Sequence, residues 1–158
     1  MGISEKEYVT QMETYKKSLY RIAYSYMNDK TLALDALDEA IYKGYINRSK
    51  LKNQDCFKTW LTRIVVNECL QQLRKNKREV LLDEIPEKPI EALDTLPIKE
   101  ALNKLSHDLS SIIHLRFFGG YTLSETATIL DIPQGTVATR ERRALELLRL
   151  ELTDGTNC

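Results

Sequence analysis

Three of the chain's four prolines fall between residues 79 and 97, "EVLLDEIPEKPIEALDTLP", and none precedes them. Proline fixes φ, lacks an amide proton and pushes the residue before it out of the helical region, so this acidic stretch suits an extended connection. Glycine and proline together number only ten in 158 residues, and no alternating strand pattern recurs on either side of the break. Helices separated by short turns are therefore the economical reading of both flanks. The expected fold class is all-α: two small helical domains, residues 1–78 and 98–158, joined by a flexible linker at 79–97. Leu81, Leu82 and Ile85 are more apolar than a solvated tether requires, so part of the linker is expected to lie against a domain or a partner.

Local signals place the helices. Ser4 and Glu7 have capping-box spacing, and Leu19, Ile22, Ala23 and Tyr26 follow at helical period until Asn28 and Asp29 interrupt them. Asp29 can cap a second helix, about Lys30 to Tyr45, with Ala33, Leu37, Ala40, Ile41 and Gly44 on one side and Asp35, Asp38, Glu39 and Tyr42 on another. A polar stretch, 47–55, precedes a long helix from about Phe57 to Arg78 whose core stripe is Phe57, Trp60, Leu61, Ile64 and Val65. Trp60 on that stripe reads as a packing residue, and Tyr20 and Tyr24 are treated likewise. Beyond the linker, helical patches run from about Ile98 to Lys104, Ser106 to Phe118, Leu123 to Leu130 and Gln134 to Leu152.

Whole-chain charge is zero, with 23 basic and 23 acidic residues, but it is unevenly spread. Residues 1–78 hold 15 basic and 9 acidic side chains, whereas 79–104 hold 3 and 7, and 105–158 hold 5 and 7. The first half is thus basic, as a partner of nucleic acid would be. Cys56, Cys69 and Cys158 have neither zinc nor redox spacing and read as free thiols of a reducing compartment. No apolar leader and no run of about twenty apolar residues is present, so the chain is expected to be cytoplasmic and not inserted in a membrane.

The sharpest local signal lies in residues 122–149. Thr122 can cap with Glu125 reaching back; Leu123, Ala127 and Leu130 share one side; Asp131 stands at the turn; Ile132 and Val137 complete a wedge. This is helix-turn-helix spacing, with Ala127 small at the crossing and aspartate at a turn position that often carries glycine. On the last helix Val137, Ala144 and Leu148 line the inner side, while Thr136, Thr139, Arg142 and Arg143 cluster outward. Arginine pairs bidentately with guanine edges or phosphate, and a helix N-terminus can grip a phosphate.

At this point the segment "LSHDLSSIIHLRFFGGYTLSETATILDIPQGTVATRERRALELLR" resembles region 4 of the sigma-70 family. Independently, "LYRIAYSYMNDKTLALDALDEAIYKGY" followed by "FKTWLTRIVVNECLQQLRKNKR" resembles region 2. Both in this order, joined by a short linker, are the pattern of the extracytoplasmic-function (ECF) sigma factors. The resemblance implies an alternative sigma factor, not an enzyme and without cofactor or metal. Such a protein binds core RNA polymerase and directs promoter-specific initiation. Region 2 (1–78) would read the −10 element as a partly unpaired strand and dock on the polymerase clamp; region 4 (98–158) would read the −35 element as duplex.

Carried onto this chain, the −35 face comprises Gln134, Thr136, Thr139, Arg140, Arg142 and Arg143. The −10 stripe comprises Thr59, Arg63, Asn67 and Arg74, with Asn67 matching an asparagine of the family and Arg74, Lys75, Lys77 and Arg78 adding unspecific attraction. The 47–55 loop corresponds to the one that cradles a flipped −10 base. The "DALDEA" run resembles the docking segment, giving Asp35, Asp38 and Glu39; Asp38 stands where the family usually has glutamine. Two further departures are Ala138, where a cation commonly follows "GTV", and Arg142, at a position often apolar or aromatic. Promoter DNA and core polymerase are the implied partners, with the free chain a monomer, its two modules held apart on the polymerase. Family members are commonly held inactive by an anti-sigma protein, which no residue here identifies.

Two other classes compete with this reading. A stand-alone helix-turn-helix regulator would dimerise to match two half-sites. An enzyme lacks support: His107 and His114 have no nucleophile, carboxylate or phosphate-loop context and read as surface or core-edge histidines. Glu68, near the apolar side of its helix, has no sequence-level explanation.

Overall fold

The computed structural model describes the backbone of residues 2–80 and 96–156 and the side chains of 2–76 and 97–153. Most of the expected linker, with Leu81, Leu82 and Ile85, lies outside the described residues, as does Cys158. Helix α1 (Glu5–Met27) starts at the expected box: Ser4 Oγ accepts from the Glu7 amide and Glu7 returns a bond to the Ser4 amide, both at 3.2 Å. It stops at Asn28, which takes a left-handed φ of 55°. Asparagine tolerates that conformation because its short polar side chain can bond locally. Asp29 then caps α2 (Lys30–Ile46) by accepting from the Leu32 amide at 2.9 Å. Two single turns, Arg48–Lys50 and Gln54–Cys56, lead into α3 (Phe57–Val80).

These three helices pack as a bundle around Leu19, Ile22, Ala23, Ala33, Ala36, Leu37, Ala40, Leu61, Val65 and Val66. The alanine-rich inner face of α2 lets its neighbours approach closely. At Gly44 a methyl group would stand 2.6 Å from the Tyr8 hydroxyl, which donates to the Ile41 carbonyl at 2.6 Å. Glu68 has its explanation here. Its carboxylate is buried but accepts from Lys43 of α2 at 2.6 Å, and Gln72 donates to it at 3.3 Å, so a charge on the apolar side is paired rather than stranded.

The second unit is α4 (Leu96–Lys104), α5 (His107–Ile113), a π turn (His114–Phe118), α6 (Leu123–Leu130) and α7 (Gln134–Thr156). Leu102, Ile113 and Ala144 form its own small core with Leu105, Leu109 and Leu148. A single helix over 106–118 was expected; the widened turn at its end, closed by the Gly119 amide donating to the His114 carbonyl at 2.9 Å, was not. Gly119 is needed there, since a methyl group would sit 2.8 Å from the Tyr121 ring.

The two units are not apart. Leu115, Tyr121 and Ile129 join the same apolar cluster as α1 and α3. Five successive residues, Ser111 to Leu115, are buried, more than one helix face can supply; α5 and the π turn run between the two bodies and are covered on both sides. His114 is accordingly an interface residue, not a core-edge one. Asn67 and Arg142 nevertheless remain exposed.

Candidate nucleic-acid interface

In the helix-turn-helix, Thr122 and Glu125 exchange both capping bonds at 3.0 Å, and Asp131 takes the left-handed turn conformation, φ 57° and ψ 49°. The inner face of α6 differs from the expected one. Thr126 and Ile129 are its buried residues, while Leu123, Ala127 and Leu130 are half-buried. Val137 and Ala144 seat α7 with no exposed area.

Of the −35 candidates, Gln134, Thr139, Arg142 and Arg143 are exposed and Thr136 is half-exposed. Thr139 spends its hydroxyl proton on the Gly135 carbonyl at 3.0 Å and keeps its lone pairs for a partner. Arg143 lies 3.7 Å from Glu146, a surface pair of small worth. Arg140 departs from the group: it faces a cleft of about 220 Å³ beside Arg63 and Asn67. Glu141, a candidate to neutralise the arginines of α7, is instead engaged by Arg116 at 2.9 Å.

Along α3, Thr59, Arg63, Asn67 and Arg74 form one stripe, with Arg63, Asn67 and Arg74 exposed and Thr59 half-exposed. The side chains of Lys77 and Arg78 lie outside the described residues. Trp60 and Tyr20 pack against the core; Tyr20 also lines, with exposed Tyr24, an apolar groove of about 430 Å³ shared with Ile98, Leu102 and Phe118. The 47–55 loop hangs from buried Leu51 and from the Arg48 guanidinium, 4.3 Å over the Tyr45 ring. Its Ser49, Lys50, Lys52, Asn53, Gln54 and Asp55 are exposed.

On α2, Asp35, Asp38 and Glu39 are all exposed and, among the described residues, none is in an ion pair. Tyr42 was expected on this side; its apolar companions Leu34 and Ile46 were not. Leu34, Tyr42 and Ile46 are 37%, 59% and 55% exposed on the same helix, a mixed apolar and acidic face of the sort that partners cover. The four-residue spacing from Leu34 through Asp38 and Tyr42 to Ile46 was the available signal.

The cleft between α3 and α6 sets how the stripe is presented. Asp131 reaches across to Arg63 at 3.7 Å, and Leu130 and Ile132 face Val66, Asn67 and Leu70. Three buried bonds close the interface further back. Tyr26 donates to Ser111 at 2.7 Å. Thr62 gives its proton to the Lys58 carbonyl at 2.6 Å, so the Tyr121 hydroxyl donates to Thr62 at 2.5 Å. Ser25 likewise donates to the Ile22 carbonyl at 2.7 Å, so His114 must donate from Nδ1 to Ser25 at 2.9 Å, fixing its neutral tautomer.

Burial, with His107 nearby, lowers the His114 pKa to about 3, and its ring stacks on Tyr26 with centroids 3.9 Å apart. Above pH 6.5 the ring is neutral folded or unfolded and contributes no pH dependence. Below pH 6.5 the unfolded chain takes up a proton that the folded one refuses until about pH 3, so stability falls with pH. Between pH 7 and 5 this amounts to about 2 kcal/mol. Denaturant midpoints of wild type and His114→Gln at those two pH values are expected to show that extra loss in wild type alone.

Two family models match the chain: "Sigma-70 region 2" over residues 12–79 and "Sigma-70, region 4" over residues 101–150. Among curated proteins, the RNA polymerase sigma factor SigV of Bacillus subtilis is 36% identical over 154 residues, 92% of this chain and 90% of that protein. The ECF RNA polymerase sigma factor SigW of the same organism is 29% identical over 90% of this chain and 87% of its own length. Among solved structures, the sigma factor RpoE of Bartonella quintana, in complex with the anti-sigma factor NepR, superposes with a TM-score of 0.74 at 26% identity, covering 94% of this chain and 98% of that one. CnrH, in complex with the cytosolic domain of CnrY, shares the fold, with a TM-score of 0.78 at 19% identity over 98% and 92% of the two chains.

The chain therefore belongs to the sigma-70 family, in its ECF branch. It is an alternative sigma factor that directs promoter-specific transcription initiation by core RNA polymerase; the polymerase, not this chain, is the enzyme. No helix among the described residues is long and apolar enough to cross a membrane.

Proposed function

We propose the following division of labour, acting in the cytoplasm. Residues 1–78 form the −10 and docking module, 79–97 the linker and 98–158 the −35 module. Gln134, Thr136, Thr139, Arg142 and Arg143 enter the major groove of the −35 element, and Arg140 joins them once the cleft opens. Thr59, Arg63, Asn67 and Arg74 track the melted −10 strand: arginine neutralises phosphate, and the Asn67 amide offers a donor and an acceptor to an unpaired base edge. Asp35, Asp38 and Glu39, flanked by Leu34, Tyr42 and Ile46, dock on polymerase arginines.

The observation that supports this reading is that the three sets stand on three different helices, with all members exposed except half-exposed Thr59 and Thr136 and the cleft-facing Arg140. The closed cleft adds a condition. With Asp131 3.7 Å from Arg63 and Leu130 and Ile132 lining the cleft beside Asn67, α6 crowds one flank of the stripe, so the free chain binds promoter DNA weakly and the polymerase holds the modules further apart. A closed form of this kind is also what an anti-sigma factor would retain.

The test is Asn67→Ala assayed with core polymerase. About tenfold fewer open complexes are expected on duplex promoter, from loss of a base contact worth about 1–3 kcal/mol. Binding to a −35 duplex should be unchanged; equal opening by variant and wild type would remove Asn67 from the −10 stripe.

A further inference from the structure

Arg116 is not among the residues assigned to DNA, yet it joins three parts of the helix-turn-helix. From the π turn, its Nε donates to Glu141 Oε1 on α7 at 2.9 Å, and its Nη1 donates to the Tyr121 carbonyl at 2.7 Å, just before the Thr122 cap of α6. Both charged partners are largely covered, with side-chain exposures of 28% and 16%. A carboxylate so placed on the inner flank of a helix is tolerated only when paired.

The remaining seat of α7 is apolar, with Val137, Ala144 and Leu148 on its inner side. They set which face of α7 is buried, but apolar contact is non-directional and by itself fixes the finer rotation about the helix axis less sharply than a hydrogen bond does. A charge-assisted pair of hydrogen bonds from one planar guanidinium is directional. Glu141 lies between Val137 and Ala144 along α7, so fixing it fixes which residues point outward. The same pairing keeps the Glu141 carboxylate off Arg142 and Arg140.

We propose that Arg116 is a positioning residue for −35 recognition, acting through Glu141 and the Tyr121 carbonyl to set the rotation of the recognition helix. The proposal rests on the −35 assignment of α7. Its test is the ratio of initiation from a promoter with its cognate −35 element to initiation from one with that element scrambled, using full-length chain and core polymerase. Because both templates use the same preparation, loss of folded protein cancels from the ratio.

Arg116→Gln is expected to lower that ratio about tenfold, Glu141→Gln to lower it similarly, and the double variant to lower it no further, as for two members of one contact. Initiation from a template already melted at −10 should change less than twofold in the same variants. Undiminished discrimination by Arg116→Gln, or multiplying effects in the double variant, would overturn the proposal. If wild type itself ignored the scrambled element, the −35 assignment would fall instead.

Discussion

Reversing Asp35 and Glu39 together to lysine is expected to weaken binding to core RNA polymerase by about a hundredfold. Each contact between a carboxylate and a partner arginine that is broken, and replaced by like-charge repulsion, costs about 2–5 kcal/mol when desolvated. About 1.4 kcal/mol per site, below that range, already gives a hundredfold over the two sites. The fold should not change, because both side chains are exposed and neither is in an ion pair among the described residues. Asp38→Lys alone should do less, since that position usually carries an uncharged amide in relatives. Anisotropy titration of labelled chain with core polymerase, beside a thermal melt, separates docking from stability; unaltered affinity in the double reversal would remove this face from the polymerase interface.

Arg142→Ala carries the second large effect. The side chain is exposed on α7 and, among the described residues, in no ion pair, so its loss is expected to cost only its contact with the promoter. A bidentate base contact is worth about 1–3 kcal/mol, so initiation should fall roughly 5- to 150-fold, with discrimination lost at one base pair of the −35 element. Arg143→Ala should behave differently: paired with Glu146 at 3.7 Å and suited to phosphate, it should weaken all sequences alike and reduce the salt slope by about one. Run-off titrations across single-base −35 variants at several salt concentrations distinguish the two patterns. A uniform loss for Arg142→Ala would reassign it to the backbone.

Local features of this fold were legible because their causes are local. Ser4 with Glu7, Asn28 with Asp29, and Thr122 with Glu125 mark helix boundaries through bonds spanning three residues, and each boundary falls where expected. The left-handed Asp131 was readable for the same reason. Contacts between distant segments left no such trace. Glu68 finds Lys43 only because α2 lies against α3, and Tyr26 meets Ser111 across 85 positions. The closing of one module on the other, which turned His114 into a buried interface group and Arg140 toward the −10 stripe, has no periodicity to announce it. Tyr42 was placed on the acidic side, but Leu34 and Ile46 were passed over because an apolar residue on a helix is ordinarily credited to its core.

In the proposed division of labour, one chain reads two promoter elements with two modules that only the polymerase holds at the right separation. The most direct test mixes purified chain with core polymerase on a promoter carrying both elements and follows specific transcript and the footprint on each element. Initiation at one start site is predicted, with both elements protected only when polymerase is present and transcript lost when either is scrambled. Failure of the chain to bind core polymerase, or protection of both elements by the chain alone, would contradict the account.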